Sequence, residues 1–565
     1  MTLGSRVVER YLRLPPAVTR QVRVDRNLPV RARDGVILRA DHYAPALPSA
    51  PTVLIRTPYG RKGVMGMTSG RAMAERGFHV VLQSCRGTFD SGGVFEPMRH
   101  EREDGLDTVA WIQAQPWFDG NLFTYGPSYV GFTQWAIAAE AGPALKGMCA
   151  PVTASGFRDP TYAGGAYSLD TILNWATITS NQGGSLLSFA YKQTRALPRL
   201  RRALLHLPLS EVDVLVTGQP VAFFQEWLAH AEPGDPYWAD RVHDTRVAEV
   251  TAPVCMIGGW YDIFLPWQLR DYTALRAAGR SPRLVIGPWT HADLRLMGFS
   301  MRQAIDWFRT LAAGEPTPGG VRIQIGGTGE WRELPDWPPP TGRTEWYLQA
   351  GGGLAAQVPA QSEPDRFRYD PADPTPSPGG ALLTAEAGRR DNRSVEARPD
   401  VLVYTSPPLP EEYELIGPVT AVIYIRSSLR NFDVQVRLCE VDSQGRSWNL
   451  TDGLTRVNPT HSRAPGGHAP AASGTPGTDG VHAVEIELWP VGHRLRAGHR
   501  IRVHVAGGAH PRHARNPGTG EPLATARNLL AAENEVFHDP ARPSAIRLPG
   551  RLAAGPAGWP AGPVG

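Results

Sequence analysis

Lysine is nearly absent from this chain: Lys62, Lys146 and Lys192 are the only three in 565 residues. Arginine carries almost all the positive charge, which we read as the codon bias of a GC-rich gene rather than a stability device. The formal net charge is only +4, and no basic run is interleaved with aromatics, so nucleic acid is not an expected partner. Cysteine is scarce too. Cys85, Cys149, Cys255 and Cys439 are far apart and form no CxxC, which argues against a disulfide framework or a zinc site. Three of them lie in apolar, strand-like runs and read as small buried hydrophobes. No stretch of about 20 apolar residues could cross a membrane. The opening MTLGSRVVERYLRLPPAVTRQVRV is broken by Arg and Glu and lacks the apolar stretch of a signal peptide. The expected compartment is the cytoplasm, with no membrane partner. GGSLL and GGGL are too bare to cradle phosphate, and metal-ligand spacings are missing, so no cofactor or metal is expected.

What is present is ample core material. Hydrophobic residues make up 42% and charged residues 20%, as in ordinary globular proteins, and the length suggests about three to four domains. The first third alternates strand-like runs with helical patterns. VRARDGVILRADHYAP reads as a hairpin turning at Asp34-Gly35. TVLIRTPYG, FHVVLQSCRG, LFTYG and GMCAPV follow as strands, with helices expected over 70–77 and 103–115. Strand-helix alternation of this kind predicts an α/β parallel sheet. From 156 to 243 helical periods dominate, predicting an inserted helical cap. APVCMIGGWYD and PRLVIGPWTH then resume the sheet, followed by a helix over 301–315 and the run VRIQIGG. After Trp337-Pro-Pro-Pro340 short alternating runs between Gly/Pro turns predict an all-β sandwich or jelly roll. The expected organisation is an α/β domain over 1–155 and 244–342, a cap over 156–243, and a β domain over 343–565. Residues 460–480 are low in complexity and expected to form a mobile surface loop. The tail from Ala553 is expected to fray.

The stretch TYGPSYVGFTQW holds Ser128 between a strand and a helical pattern. A hydrolase nucleophile needs such a strand-to-helix turn with small flanking residues. The fit to G-x-S-x-G is imperfect, because Val130 stands where the second glycine belongs and Gly131 follows. On its own the motif leaves a plain Gly/Pro turn open. Partners for a nucleophile come later, in the chain order of the α/β-hydrolase fold. Asp262 follows one apolar run and His291 the next. Ser128 would need His291 to take its proton, with Asp262 holding the imidazole tautomer. An oxyanion needs fixed donors: the Tyr129 backbone N–H is one, and Tyr59 in IRTPYGR offers a phenol, though on spacing alone packing is the favoured reading for it.

These pieces together resemble one family. GPSYVG at 126–131, RTPY at 56–59, RGTFDSGG at 86–93, GGWYD at 258–262 and GPWTH at 287–291 look like the cocaine esterase and X-Pro dipeptidyl-peptidase group of serine hydrolases. YDPADPTPSPGG at 369–380 extends the resemblance into the β domain. It implies an α/β-hydrolase fold with a helical cap and a C-terminal jelly roll. Ser128 would be the nucleophile, Asp262 and His291 its partners, and the Tyr59 hydroxyl and Tyr129 N–H the oxyanion hole. Phe264 and Phe432 match aromatic residues lining an acyl pocket, with core packing as the other reading. The sequence departs from the group at Cys85, where an acidic residue or Asn is usual before RG. The extra N-terminal domain of the longer peptidases has no counterpart. No carboxylate cluster for a substrate ammonium can be placed, Glu140 and Asp170 being candidates only by nearness to the cap.

The expected activity is therefore cleavage of carboxylic esters through an acyl-enzyme, on a small-molecule ester or short peptide. An X-Pro dipeptidyl-peptidase, or an α-amino acid ester hydrolase or acylase, is the alternative. A catalytically inert binding protein is the remote one. The oligomeric state is left open, a homodimer included.

Overall fold

The computed structural model describes residues 2–182, 186–458 and 479–552. The chain forms two compact units. The first holds 1–162, 168–322 and 381–385, and the second 163–167, 323–380 and 386–565. The division after Arg322 comes earlier than the 342/343 boundary expected from the proline-rich stretch, and there are two units where the length suggests three or four. The low-complexity stretch at 460–480 falls, up to 478, outside the described residues, as does the tail from Ala553.

The first unit is built on a twisted sheet. Its strands are β1 (Val22–Arg31), β2 (Ile37–Pro45), β3 (Thr52–Thr57), β4 (His79–Ser84), β5 (Leu122–Tyr125), β6 (Leu145–Pro151), β7 (Val254–Tyr261) and β8 (Arg283–Thr290). Their spatial order is β1-β2-β4-β3-β5-β6-β7-β8. β1 and β2 form the expected hairpin, and β2 lies antiparallel to β4. From β4 to β8 every pairing is parallel. β3, β4 and β5 are buried at every position, because a parallel sheet is covered on both faces. That explains why they read as continuous apolar runs. Cys149 and Cys255 face each other across β6 and β7, and all four cysteines are buried and free.

Five helices matter for the site: α1 (Glu101–Gln113), α2 (Tyr129–Ala138), α3 (Leu169–Ser180), α4 (Leu265–Ala277) and α5 (Leu294–Ala312). All ten residues of α2 are buried, so this helix runs through the interior. The helical insertion leaves the sheet after β6 and returns before β7. Its ends meet at an isolated bridge between Gly156 and Val242, and the His243 N–H donates to the Ser155 carbonyl at 2.9 Å. Among the described residues no helix is long and apolar enough to cross a membrane.

The second unit is β-rich, as its texture predicts. β9 (Tyr413–Ser427) pairs antiparallel with β12 (His482–Leu495). β10 (Phe432–Val441) lies between β11 (Ser447–Val457) and β13 (Arg500–Ala506), antiparallel to both. Alternate residues of β9 point inward. They meet Val434, Val436, Leu438, Ile486, Val503 and Val505 in one apolar core.

The foot of the insertion is tied to α4 through a buried acid. Asp271 on α4 accepts from the Ser155 N–H at 2.9 Å and the Ser155 hydroxyl at 2.5 Å. Burial outweighs these two bonds and pushes its carboxyl up to about 7, with Asp244 adding to the rise and Arg270 opposing it. An acid whose folded value is raised holds its proton longer when folded. Its contribution to stability is therefore present below the unfolded value of ~3.9 and is lost as pH rises toward 7. Asp271→Asn should flatten that loss. Between pH 5 and 8 the variant should gain on the order of 2–3 kcal/mol relative to the parent, read from denaturant midpoints. An equal difference at both pH values would show that Asp271 does not titrate in this range.

Candidate active site

Ser128 stands at the turn between β5 and α2 with φ 56° and ψ −127°. This is a region non-glycine residues avoid, at a cost of order 1–3 kcal/mol. Two close approaches hold it there and explain the offset glycine. A Cβ on Gly126, itself at φ 148°, would lie 2.1 Å from Val130 Cγ1. Val130 therefore occupies the space that a side chain at 126 would need. A Cβ on Gly131 would lie 2.4 Å from Thr153 Cγ2, so Gly131 is what lets α2 pack against the segment after β6. Thr153 also donates through its hydroxyl to the Ser128 carbonyl at 2.7 Å, and the Ser128 N–H donates to the Pro151 carbonyl at 3.2 Å. Spacing of small residues around a turn is thus met here by a different pair of contacts from those of G-x-S-x-G.

β7 and β8 deliver the partners. Asp262 follows β7 and His291 follows β8, neighbours in the sheet. The glycines before them admit Trp289. A Cβ on Gly259 would meet the Trp289 carbonyl oxygen at 2.2 Å, and one on Gly287 its ring at 2.5 Å. The sheet brings the three expected side chains into one line. His291 Nε2 lies 3.1 Å from Ser128 Oγ, and His291 Nδ1 lies 2.6 Å from Asp262 Oδ1. Asp262 is fully buried. Its other oxygen accepts from the Phe264 N–H at 2.9 Å, so the carboxylate is held from both sides. Nδ1 facing a carboxylate carries the hydrogen, which leaves Nε2 free to accept the serine proton.

β3 and β5 are adjacent and parallel, with β4 on the far side of β3. The strand order reverses between β3 and β5, the place where open α/β sheets bind ligands. Tyr59 follows β3 there and Ser128 follows β5. The Tyr59 hydroxyl accepts from the Trp175 indole N–H at 3.1 Å and neighbours Ser128. Burial pushes the phenol up to about 12, with Trp175 and Ser128 acting in the opposite direction, so it stays a neutral donor. Tyr129 opens α2, where a backbone N–H has no acceptor within the helix. Its side chain is an anchor. The hydroxyl donates to Glu101 Oε1 at 2.8 Å and accepts from the Met98 N–H at 2.8 Å. Glu101 is paired in turn with buried Arg56 at 2.8 Å. Cys85, the departure noted in the sequence, is buried beside this pair. Burial first and the Glu101 charge second raise its thiol well above the ordinary value.

Phe264 sits directly against the triad. Its ring meets His291 edge-on at 5.4 Å and stacks on Phe157 at 4.5 Å. Phe432 lies in the second unit, where it is 4% exposed, belongs to the core and meets His482 edge-on. Glu140 is held by Arg102 and Arg246, which draw its carboxyl down to about 2. Asp170 is buried and accepts from the Leu383 N–H and from Asn174. Both carboxylates therefore already have partners. The sequence reading missed Trp175 and the Arg56–Glu101 pair. A charged residue at the end of an apolar strand, as Arg56 is, was the one signal for the latter.

Known proteins are similar to this chain. Residues 34–293 match X-Pro dipeptidyl-peptidase (S15 family), and residues 315–547 match the X-Pro dipeptidyl-peptidase C-terminal non-catalytic domain. The chain is 31% identical over 581 residues to cocaine esterase from Rhodococcus sp. (strain MB1 Bresler), covering 93% of this chain and 98% of that protein. An α-amino acid ester hydrolase structure superposes with a TM-score of 0.77 at 22% identity, covering 95% of this chain and 98% of the other. An aminopeptidase from the marine sediment archaeon Thaumarchaeota archaeon does so at 0.76 and 22%, covering 94% and 96%. The last two speak to the fold alone.

Gly131→Ala should push Thr153 away from the Ser128 carbonyl. Overpacking of this kind costs roughly 1–3 kcal/mol, so the variant should melt at lower temperature and turn over more slowly. A melting temperature and rate equal to the parent's would mean that α2 has room to shift.

Proposed function

This chain belongs to the serine hydrolase family that includes the S15 X-Pro dipeptidyl-peptidases and cocaine esterase, and we propose that it cleaves carboxylic esters through an acyl-enzyme on Ser128. The observation that carries the reading is the unbroken contact from Asp262 through His291 to Ser128. Ser128 Oγ attacks the acyl carbon while His291 Nε2 takes its proton, and Asp262 stabilises the imidazolium that forms. The carbonyl oxygen becomes an oxyanion, met by the Tyr59 hydroxyl and the Tyr129 N–H. Collapse expels the alcohol, which receives the proton from His291. Water then attacks the acyl-enzyme with His291 as base, and the acid leaves with Ser128 restored. Phe264, packed on the imidazole, forms a wall for the acyl group.

Esters rank ahead of X-Pro amides for a chemical reason. A dipeptidyl-peptidase needs a carboxylate free to bind the substrate's ammonium. Glu140 is taken by two arginines, and Asp170 by a backbone N–H and Asn174. Turnover of p-nitrophenyl acyl esters should exceed that of Gly-Pro p-nitroanilide. The opposite ranking would make the chain a peptidase.

Ser128→Ala should abolish turnover and labelling by a fluorophosphonate while leaving the melting temperature near that of the parent. A folded parent protein that resists the probe would instead favour an inert binding protein. Tyr59→Phe should lower kcat about 10²-fold, as loss of one oxyanion donor does. An unchanged kcat would remove Tyr59 from the site.

A further inference from the structure

The bond from Trp175 to Tyr59 restricts where the phenol's hydrogen can point. An indole N–H donates and cannot accept. Trp175 Nε1 lies 3.1 Å from the Tyr59 oxygen, so the single phenol hydrogen is not on that line and must be directed elsewhere. Ser128 also neighbours the phenol. The Ser128 hydrogen is itself committed to His291 Nε2, because Nδ1–H faces Asp262. The serine oxygen is thus left as an acceptor for the phenol. We propose that Trp175, on a helix of the insertion, is the positioning residue that turns the Tyr59 hydroxyl toward the reacting oxygen, through donation of its indole N–H.

The assignment rests on the triad reading above and adds a donor that the three triad residues do not contain. It orders the donors along one line: Trp175 toward Tyr59, Tyr59 toward Ser128, Ser128 toward His291 and His291 toward Asp262. In such a chain each donation polarises the next group, by about 10–30% per bond. A phenol that already accepts from Trp175 is a stronger donor to the charge that develops in the transition state. Without it the hydroxyl can rotate and spend time pointing away.

The indole is well placed to act as a fixed donor. It stacks on the Tyr129 ring at 5.8 Å and 21° and on Trp227 at 5.7 Å and 13°, with Phe223 at 4.6 Å. Phe223 and Trp227 come from the insertion's helix Ala222–Ala229. The Trp227 carbonyl accepts from the Tyr162 hydroxyl at 2.6 Å. The aromatic stack therefore fixes the ring plane, and with it the direction of the N–H.

The test replaces the donor without changing the ring. Benzothienylalanine at position 175 keeps the bicyclic shape and stacking, with sulfur in place of N–H, and Trp175→Phe is the simpler companion. On a p-nitrophenyl ester both should lower kcat about tenfold, part of the 10²–10³ that an entire oxyanion donor is worth. KM should stay within about twofold, because the lost interaction belongs to the transition state. In a Tyr59→Phe background neither change at 175 should lower kcat further. An unaltered kcat in the benzothienyl protein would overturn the proposal, since packing alone would then account for Trp175. An equal loss in both backgrounds would overturn it too, because Trp175 would be acting without Tyr59. The triad is judged separately by Ser128→Ala. Retained turnover there would sink both readings, whereas an inactive Ser128→Ala beside an indifferent position 175 would sink this one alone.

Discussion

Ser128 is held in a backbone conformation it would not choose, and the surrounding structure exists in large part to hold it there. The strain is local, but its restraint is not. Val130 fills the space above Gly126, Thr153 presses on Gly131 and holds the Ser128 carbonyl, and Pro151 receives the Ser128 N–H. Relaxing the turn would mean displacing a fully buried helix from the sheet. The hydroxyl is thereby presented at a fixed point before substrate arrives. That is what an acyl-transfer site requires, since reorganisation at the moment of reaction would raise the barrier.

Around that point the charges are arranged in separate compartments. Asp262 is fully buried and accepts hydrogen bonds from His291 and from the Phe264 backbone N–H. Glu101 and Arg56 form a second buried pair that fixes Tyr129 from below. Breaking a buried pair by removing one member leaves an uncompensated charge, typically costing 3–5 kcal/mol. The pair therefore makes the first turn of α2 rigid, and that turn carries the N–H assigned to the oxyanion. Tyr59, by contrast, is kept neutral by desolvation. A phenolate there would repel the oxyanion of the proposed mechanism.

The helical insertion is more than a cover. Its α3 carries the indole that reaches Tyr59, and the stack of Tyr129, Trp175, Phe223 and Trp227 joins the sheet's own helix to the insertion. Phe157, at the start of the same insertion, supports Phe264 against the imidazole. Sheet and insertion thus share one candidate site, with the proposed nucleophile and base placed at strand ends and the proposed oxyanion donor Tyr59 contacted by a helix of the insertion.

Much of this was legible in the linear chain, and for a physical reason. Parallel strands are buried on both faces, so they appear as apolar runs, and the residues just past their ends lie along one edge of the sheet. Asp262 and His291 could be picked out because each directly follows such a run, and Ser128 because a tight turn demands small neighbours. The β-rich second unit showed itself through alternation and turn residues. What stayed hidden depended on contacts between elements whose relative placement no local pattern encodes. Trp175 looked like any aromatic on a helix until the insertion folded back on Tyr59. Arg56 and Glu101 are far apart in sequence and meet only because β3 and α1 pack together. The extra residue before Gly131 looked like a defect and proved to be a fit, decided by Thr153 on the neighbouring strand connection. Sequence by itself determined which side chains the sheet would gather at its edge. Tertiary packing decided which of them touch, because those contacts join elements distant along the chain.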